Sequence, residues 1–361
     1  MKTKLFFAVS ALFLLSLHLN AQSSAKTVSC ELSKVTKSET IPLSSLIDDC
    51  TFVQLENSGK ALFKLWFTTV TNKYIGIRQH GQGDGTFKLF DRTGKFLCNV
   101  GSKGQGPGEY QVLYDDIIDD KRNLIYLAPF SGKKILVYNT SGKFVKEIVA
   151  PQNLQKPRLH LSDDGTLSVV HMAFKGDKAI AFQFDTNGKL IKELAPPEEL
   201  LGQSFDEEIF NSRNTREFDF QYTTNKDVLY HYSVKENKIS PVFTLKTNPS
   251  EKVFAQYLEF NNRYIAQAFG KAVVSVDKKT NVSSKIKIVN DYYGNLEAPV
   301  NVMTFRGGFF IHNLEPGELV DLIEKRMKES NCTAQDKAKL KKLLSSIDKD
   351  ANNVVFIGKL K

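Results

Sequence analysis

The fold of this chain is decided by three copies of one short pattern: Phe90-Asp91-Arg92-Thr93-Gly94-Lys95-Phe96, Tyr138-Asn139-Thr140-Ser141-Gly142-Lys143-Phe144 and Phe184-Asp185-Thr186-Asn187-Gly188-Lys189-Leu190. Each copy has an aromatic residue, then Asp or Asn, two polar residues, Gly, Lys and an apolar residue. The Asp or Asn side chain accepts a hydrogen bond from a backbone N–H two residues further on, and Gly closes the turn in the left-handed conformation. Because apolar and polar residues alternate on both sides, each copy predicts the turn of a β-hairpin.

The copies recur at a regular distance. Asp91 and Asn139 are 48 residues apart, Asn139 and Asp185 are 46 apart, and weaker copies follow at Ser233 and Asp277. A period of about 40–50 residues that consists of strands is typical of a propeller blade. The sequence therefore predicts an all-β fold over residues 51–361, a six-bladed β-propeller whose blades have four antiparallel strands each.

The last repeat departs from the pattern. Pro316–Glu329 predicts a helix because its apolar residues recur on one helical face, and Thr333 predicts the cap of a second helix that runs to about Ile347. A strand pattern returns at Asn353–Leu360. The upstream strand Thr51–Leu55 has no partner in its own repeat, so we expect it to complete the last blade and to close the ring.

The first residues predict export. Lys2 and Lys4 precede the apolar stretch Leu5–Leu19, and a small residue, Ala21, follows at the position where signal peptidase cuts. This stretch is shorter than the roughly 20 residues that span a bilayer. The sequence thus predicts a signal peptide over 1–21, a lead-in segment over 22–50, and a periplasmic or secreted propeller.

The charge of the chain bears on its partners, and its cysteines bear on disulfide formation. The formal charge is +9, and loss of the two lysines of the signal peptide lowers it to +7. Since the chain is exported, we predict no nucleic-acid partner; we also predict no membrane insertion after signal cleavage, and a monomer. Four cysteines, at positions 30, 50, 98 and 332, leave two alternatives open, a disulfide or buried single thiols.

A glycine-rich run, Gly101-Ser102-Lys103-Gly104-Gln105-Gly106-Pro107-Gly108-Glu109-Tyr110, follows the first repeat. A phosphate-binding loop would need GK[ST] at the start of a helix, so we interpret the run as a structural turn. Together with the hairpin turns, it resembles a family of exported bacterial six-bladed β-propellers that is related to NHL-type propellers. The resemblance implies the fold and implies no particular activity.

Candidate ligand-binding residues lie at strand ends and in loops. His80 and His312 end the second strands of the first and last repeats, which become neighbours when the ring closes, and Arg78 lies beside His80. Arg158 begins an inner strand, and Tyr292 lies between the fifth and sixth repeats. Such side chains stack on sugars or bind anionic groups.

A metal site is the competing possibility. Carboxylates and amides that hold calcium in a channel must occupy equivalent positions in several blades. The candidates do not recur in register: Asp115, Asp116, Asp163, Asp164 and Asn301. We predict no cofactor, with calcium as the candidate ion if one binds, and no catalytic residue.

Three functions follow from these patterns. The first is a non-catalytic binding module that recognises a glycan, a peptide or an envelope protein. The alternative is a metal-dependent lyase or lactone hydrolase with its site in the central channel. The third is a structural scaffold of the envelope. Function in such folds is a property of loops and sites, so the fold does not choose among them.

Overall fold

The computed structural model describes residues 27–79, 84–222, 227–248, 250 and 253–361, and it confirms the predicted fold. Six sheets with at least four strands follow one another along the chain as the blades of a β-propeller. No helix in these ranges is long and apolar enough to cross a membrane. The predicted signal peptide lies outside them.

The lead-in segment contains strands that the sequence did not predict. Two of them add a fifth strand to the outer edge of the fourth and fifth blades, and both run parallel to the strand they join. Ser38, Glu39 and Thr40 are exposed, so no alternation of polar and apolar residues marks the second of these strands. The strands of this part of the chain are β1 (Val28–Glu31), β2 (Ser38–Pro42) and β3 (Thr51–Gln54).

The first three blades are four-stranded antiparallel sheets whose strands follow one another in sequence order. A short parallel pair, β8 with β9, lies between the first and second blades. The strands are β4 (Leu65–Val70), β5 (Tyr74–Gln79), β6 (Phe87–Asp91), β7 (Phe96–Val100), β8 (Ser102–Lys103), β9 (Glu109–Tyr110), β10 (Leu113–Asp119), β11 (Leu124–Pro129), β12 (Ser131–Asn139), β13 (Phe144–Gln155), β14 (Arg158–Leu161), β15 (Leu167–Val170), β16 (Ala181–Phe184) and β17 (Leu190–Leu194).

The last three blades are less regular, because other segments of the chain add to them. The fifth carries an additional short strand, β26, and the sixth is interrupted by two helices. The elements are β18 (Ile209–Phe210), β19 (Phe218–Tyr222), β20 (Val228–Ser233), β21 (Lys238–Lys246), β22 (Ala255–Glu259), β23 (Arg263–Ala268), β24 (Ala272–Asp277), β25 (Ser283–Asn290), β26 (Leu296–Ala298), β27 (Phe305–Arg306), β28 (Phe309–Leu314), α1 (Pro316–Lys328), α2 (Ala334–Ser346) and β29 (Val354–Lys359).

The hairpin turns form as predicted. In the first blade, the Asp91 carboxylate accepts from the backbone N–H groups of Thr93 at 2.8 Å and Lys95 at 3.1 Å. Gly94 has a φ of 91°, and a Cβ on it would lie 2.2 Å from the carbonyl oxygen of Gln54. Only glycine therefore fits at this position, where the turn of the first blade contacts the closing strand of the last.

The ring closes through the predicted strand. The last strand, β29, pairs with β28 on one side and with β3 on the other, in the antiparallel register Val355 opposite Val53. The four residues from Val354 to Ile357 are at most 1% exposed. The N-terminal strand β3 and the C-terminal strand β29 are thus held in one sheet, which leaves no open edge between the first and last blades.

Both predicted helices are present. In α2 the Thr333 hydroxyl accepts from the backbone N–H of Asp336, and the Asp336 carboxylate accepts from the backbone N–H of Thr333, a capping box. Leu319 and Ile323 of α1 and Leu340 of α2 are fully buried against the sixth and fifth blades. The pair of helices covers this part of the core.

One predicted strand is mostly a turn. The sequence predicts that the sixth repeat begins with a strand from Val300 to Phe305, yet only Phe305–Arg306 is extended. The Asn301 side chain accepts from the backbone N–H groups of Met303 and Thr304, which folds the chain back before the strand begins.

The cysteine alternatives are also resolved, since all four cysteines are free thiols.

Candidate functional site

Buried charges meet where the innermost strands of the blades surround the channel. Two carboxylates come from β10, and four arginines come from the first, third, fourth and sixth blades. All except Arg213 are at most 1% exposed. We call these six residues the arginine cluster: Arg78, Arg158, Arg213, Arg306, Asp115 and Asp116.

Asp115 lies at the centre of the cluster. Its Oδ1 is bound by Arg306 and lies 3.4 Å from Arg213 and 3.5 Å from Arg158. Its Oδ2 accepts from the backbone N–H of Leu159 at 2.8 Å. Burial opposes the charged form, but the arginines, led by Arg213, outweigh it and hold the pKa of Asp115 well below its usual range. Three guanidinium groups therefore share one carboxylate.

Arg78 and Asp116 form the second ion pair. The Nε of Arg78 lies 3.3 Å from Oδ1 of Asp116, and both side chains are fully buried. The guanidinium lies 4.4 Å from the ring centre of Phe67 and 5.1 Å from that of Trp66. Within the described ranges, its three nitrogens and both oxygens of Asp116 have no well-formed hydrogen bond. Ring faces thus take the place of solvent around this arginine.

The cluster has an excess of positive charge. Burial lowers the pKa of Arg78 to about 10, and the charges of Arg158 and Arg213 act in the same direction. Burial also lowers the pKa of Arg306, and Arg213 contributes to this shift. Arginine keeps its proton in proteins, so four cations face two carboxylates at neutral pH. Another buried carboxylate, that of Asp219, accepts hydrogen bonds from the backbone N–H groups of Ser212 and Arg213.

Two cavities flank the channel on opposite faces of the propeller. We call the face where the innermost strands begin the N face and the face where they end the C face. The C-face cavity has a volume of about 450 Å³, and Arg213, Arg306 and Asp116 of the arginine cluster belong to its wall. Its other charged or ionisable wall residues are His160, Asp163 and Arg216.

The N-face groove has a volume of about 950 Å³ and lies beside the second blade. Trp66, the only tryptophan of the chain, and Phe130 form part of its wall. The glycine-rich run contributes Gly104 and Glu109, and the Glu109 carboxylate accepts from the backbone N–H of Gly106 at 2.8 Å. The turn that the sequence predicts there as structural is thus also one wall of a groove.

The predicted site residues have different locations. Arg78 and Arg158 come together in the arginine cluster. Arg158 is held by the carbonyl oxygens of Ile209 at 2.7 Å and Tyr114 at 3.1 Å, and its guanidinium lies 4.2 Å from the ring centre of Tyr114. The structure thus joins two residues that the sequence analysis proposed separately.

Of the other three predicted residues, Tyr292 and His312 do not join the cluster. Tyr292 follows β25, and its hydroxyl donates to the carbonyl oxygen of Asp48 at 3.1 Å. His312 lies on β28 beside a cavity of about 200 Å³, and burial lowers its pKa to about 4. It is therefore neutral at physiological pH. His80 lies outside the described residues.

The candidate metal ligands are spread over separate sites. Asp115 and Asp116 bind arginines, Asp164 accepts from the backbone N–H of Thr166, and Asn301 shapes a turn. Asp163 lies on the wall of the C-face cavity. In the part of the chain that the structure describes, no three His, Cys, Asp or Glu side chains are grouped so that they could hold a metal ion.

A second buried network joins the fourth and fifth blades. Glu259 is 2% exposed; it is hydrogen-bonded to the imidazole of His231 and accepts from Lys278 at 2.6 Å. Burial favours neutral histidine, but the hydrogen bond and charge of Glu259 prevail and raise the pKa of His231. Protonation of the imidazole therefore adds a second positive charge, besides that of Lys278, next to the buried carboxylate.

This network predicts a pH dependence of stability. A raised histidine pKa stabilises the fold fully below the unfolded value of about 6.5, and the contribution is lost as the pH rises through the folded value. We expect His231→Gln to destabilise the protein more at mildly acidic pH than at alkaline pH, as measured by urea unfolding. His160→Gln is a control of opposite sign: burial lowers the pKa of His160 to about 4, so its replacement should cost less stability at mildly acidic pH than at alkaline pH. An equal loss at both pH values for His231→Gln would contradict the assignment.

Sequence reasoning missed Arg213 and Arg306. They lie 93 residues apart and belong to different blades, and neither recurs in the repeat. A single charge in an apolar strand marks Arg78 in Tyr74-Ile75-Gly76-Ile77-Arg78, but Arg213 follows polar Asn211-Ser212 and Arg306 lies in a strand of two residues, so this signal does not mark them. A charged residue in such a run is either a surface position or a buried one with a partner, and only the closed ring identifies the partner.

Comparison with known proteins agrees with the fold. A protein of Bacteroides fragilis classed as exported has a TM-score of 0.63 and 15% sequence identity, over 93% of this chain and 100% of that chain. A DUF4221 family member from Bacteroides vulgatus has a TM-score of 0.46 and 10% identity, over 88% and 98% of the two chains. A streptogramin B lyase has 0.44 and 13%, over 65% and 72%. No curated protein sequence matches significantly.

The fold and the channel define a six-bladed β-propeller whose channel is filled by an arginine cluster. The sequence model of one family, described as the domain of unknown function DUF4934, matches residues 26–359. Because this match spans nearly the whole chain, the protein belongs to the DUF4934 family.

Proposed function

We propose that the protein is a non-catalytic binding propeller of the periplasm or cell exterior, and that it holds a peptide segment of a partner protein in the N-face groove. The observation that carries the proposal is the composition of this groove. Its volume of about 950 Å³ lies within the range of about 300–1,000 Å³ that is typical of ligand sites. An apolar centre and a charged rim characterise surfaces that bind proteins.

The apolar centre offers room for anchor side chains. Trp66, Val112, Phe130 and Leu136 line it. Phe130 is 36% exposed, so part of its ring is open to a partner. Insertion of a partner's aromatic or aliphatic side chain would remove this apolar surface from water, and such anchors provide most of the affinity of protein interfaces.

The rim carries both signs of charge. Glu109 and Glu208 lie on the wall with Lys133 and Lys134. Lys134 pairs with Glu147 at 2.7 Å and Glu208 pairs with Lys156 at 2.7 Å, whereas exposed Lys133 forms no ion pair within the described ranges. A peptide that has an apolar anchor and a flanking acidic residue is complementary to this rim.

The aromatic side chains of the groove are packed against other side chains from behind. Tyr114 contacts Phe130 edge to face at 5.5 Å and Trp66 at 6.3 Å. Tyr114 in turn lies under Arg158 of the arginine cluster. Because the buried cluster holds the aromatic side chains in place, binding costs little side-chain entropy, which favours affinity.

The expected location of the protein outside the cytoplasm favours a partner in the envelope. The predicted signal peptide and the similarity to a protein classed as exported favour a role outside the cytoplasm. A glycan remains the competing ligand in this compartment, but the apolar side chains in the groove favour a peptide.

Phe130→Ser is expected to weaken peptide binding about tenfold or more, because it removes an apolar wall of the groove. Peptides are selected from a displayed random library on the purified protein, and the affinities of synthetic copies are measured through the fluorescence of Trp66. As the only tryptophan, Trp66 reports on the groove directly.

Phe269→Ser is the matched control, since Phe269 is 45% exposed and lies outside the groove. Its affinity for the selected peptides is expected to equal that of the unaltered protein. Peptides that bind equally to the Phe130→Ser protein would refute the groove as the site. Neutral oligosaccharides that bind in the groove in place of peptides would refute the ligand class.

A further inference from the structure

We infer that the C-face cavity is a second binding site, which takes a small polyhydroxylated molecule bearing an oxyanion, either a carboxylate or a phosphate. It lies on the opposite face from the N-face groove, so the inference is independent of the function proposed above. The first observation is the charge of its floor. The arginine cluster contributes Arg306 and Arg213 to the wall, and its four guanidinium groups face two carboxylates.

The second observation is an incomplete set of hydrogen bonds. Arg306 is 1% exposed; its terminal nitrogens bind Asp115 and the carbonyl oxygen of Asn211, whereas its Nε has no hydrogen-bond partner among the described residues. A buried donor without an acceptor is costly. An oxyanion is the ligand group that supplies both an acceptor and a negative charge.

The third observation concerns the rest of the wall. Hydroxyl and aliphatic side chains both line the cavity, and neutral His160 lies among them, since burial lowers its pKa to about 4. A volume of about 450 Å³ exceeds the space that an inorganic ion needs and suits a small organic molecule. The hydroxyl residues on the wall are Thr69, Thr71, Ser162 and Thr215.

The acidic residues of the wall do not cancel this charge. Asp116 is already paired with Arg78 at 3.3 Å. Asp163 is exposed at the mouth of the cavity, where Lys121 and Arg122 donate to its carbonyl oxygen at 3.3 and 2.8 Å. Exposed Arg216 adds a further cation. A cationic ligand would meet three arginines on this wall, so the charges select an anion.

Isothermal titration calorimetry on the purified protein tests the inference with four compounds at one ionic strength: glucuronate, glucose 6-phosphate, inorganic phosphate and glucose. We expect binding of glucuronate or glucose 6-phosphate and none of glucose. Binding of glucuronate alone identifies a carboxylate ligand, and binding of glucose 6-phosphate alone identifies a phosphate ligand. Inorganic phosphate is expected to bind more weakly than the better of the two sugars, because it lacks hydroxyl contacts.

Variants locate the site. Arg216→Gln changes an exposed side chain and should leave the fold intact, and we expect it to weaken binding about tenfold. Arg213→Gln, which changes a member of the cluster that is partly open to the cavity, should weaken binding at least as much. Lys133→Gln removes one positive charge on the N face and serves as the control for net charge; its affinity should be unchanged.

Either of two kinds of result would overturn the inference. One is the absence of binding by all three anions, or equal binding of glucose and glucuronate. The other is an affinity that falls equally in the Arg216→Gln and Lys133→Gln proteins, which would indicate attraction by overall charge. Neither result bears on the N-face groove, which is tested through Trp66 and Phe130.

Discussion

Replacing Asp115 with alanine is expected to lower the free energy of unfolding by about 3–5 kcal/mol, the cost of removing one partner from a buried ion pair. The carboxylate is fully buried and contacts Arg158, Arg213 and Arg306. Without it, three guanidinium groups lose the charge they share, and the backbone N–H of Leu159 loses its acceptor. Urea unfolding of the two proteins at neutral pH measures the difference.

Two further variants separate charge from shape. Asp115→Asn keeps the shape and removes the charge, so its loss of stability should be nearly as large if electrostatics dominate. Asp163→Ala removes an exposed carboxylate whose side chain is not part of the cluster, and a change within about 0.5 kcal/mol is expected. A loss of less than about 1 kcal/mol for Asp115→Ala would show that the cluster contributes little to stability.

Ring closure gives the second large effect. Phe356 lies on β29, is 1% exposed and packs against Phe52 of β3 with ring centres 5.3 Å apart. Phe356→Ala is expected to lower the free energy of unfolding by about 3–5 kcal/mol, because it leaves a cavity between strands from the two ends of the propeller. Deletion of residues 353–361 removes the whole strand and should abolish cooperative unfolding, which thermal denaturation followed by circular dichroism detects.

The matched control for Phe356 is Phe269→Ala, at a site that is 45% exposed, where the change should stay within about 0.5 kcal/mol. A truncated protein that still unfolds cooperatively at the original temperature would contradict this account of closure. In that case β3 and β29 would be additions to an already stable ring.

The sequence predicts the fold because the repeated turn is formed by residues that are close together in the chain. Asp91 and Gly94 act within a few residues, so their chemistry is readable without tertiary structure, and the spacing of the copies gives the blade. The closing strand Thr51–Gln54 follows by the same reasoning, since an unpaired strand at one end and a blade that lacks a strand at the other must meet. Local signals that repeat determine this part of the structure.

The candidate site could be predicted only in part, because it depends on contacts between distant segments. Asp115 and Arg306 are separated by 191 positions, and no short-range pattern joins them. Arg158 was predicted from its place at the start of an inner strand, but its partners were not. Strand β2 is not predicted for another reason: it is mostly exposed, only Ile41 packs into the core, and backbone pairing with β25 provides its other contacts.

The arginine cluster links the two proposed sites. It holds Tyr114 behind the groove on the N face and forms part of the cavity wall on the C face. In the two proposals, the packing of the cluster orders the aromatic side chains of the groove, and its excess positive charge attracts an anion. Loss of Asp115 should therefore also weaken peptide binding, even though the residue does not line the groove.

The most direct test of the central claim, that the N-face groove binds a peptide segment, is a crystal structure of the protein with a selected peptide. We predict that an apolar side chain of the peptide lies between Trp66 and Phe130, with an acidic residue of the peptide beside Lys133. A peptide that lies elsewhere on the propeller, with the groove unchanged from the free protein, would contradict the claim.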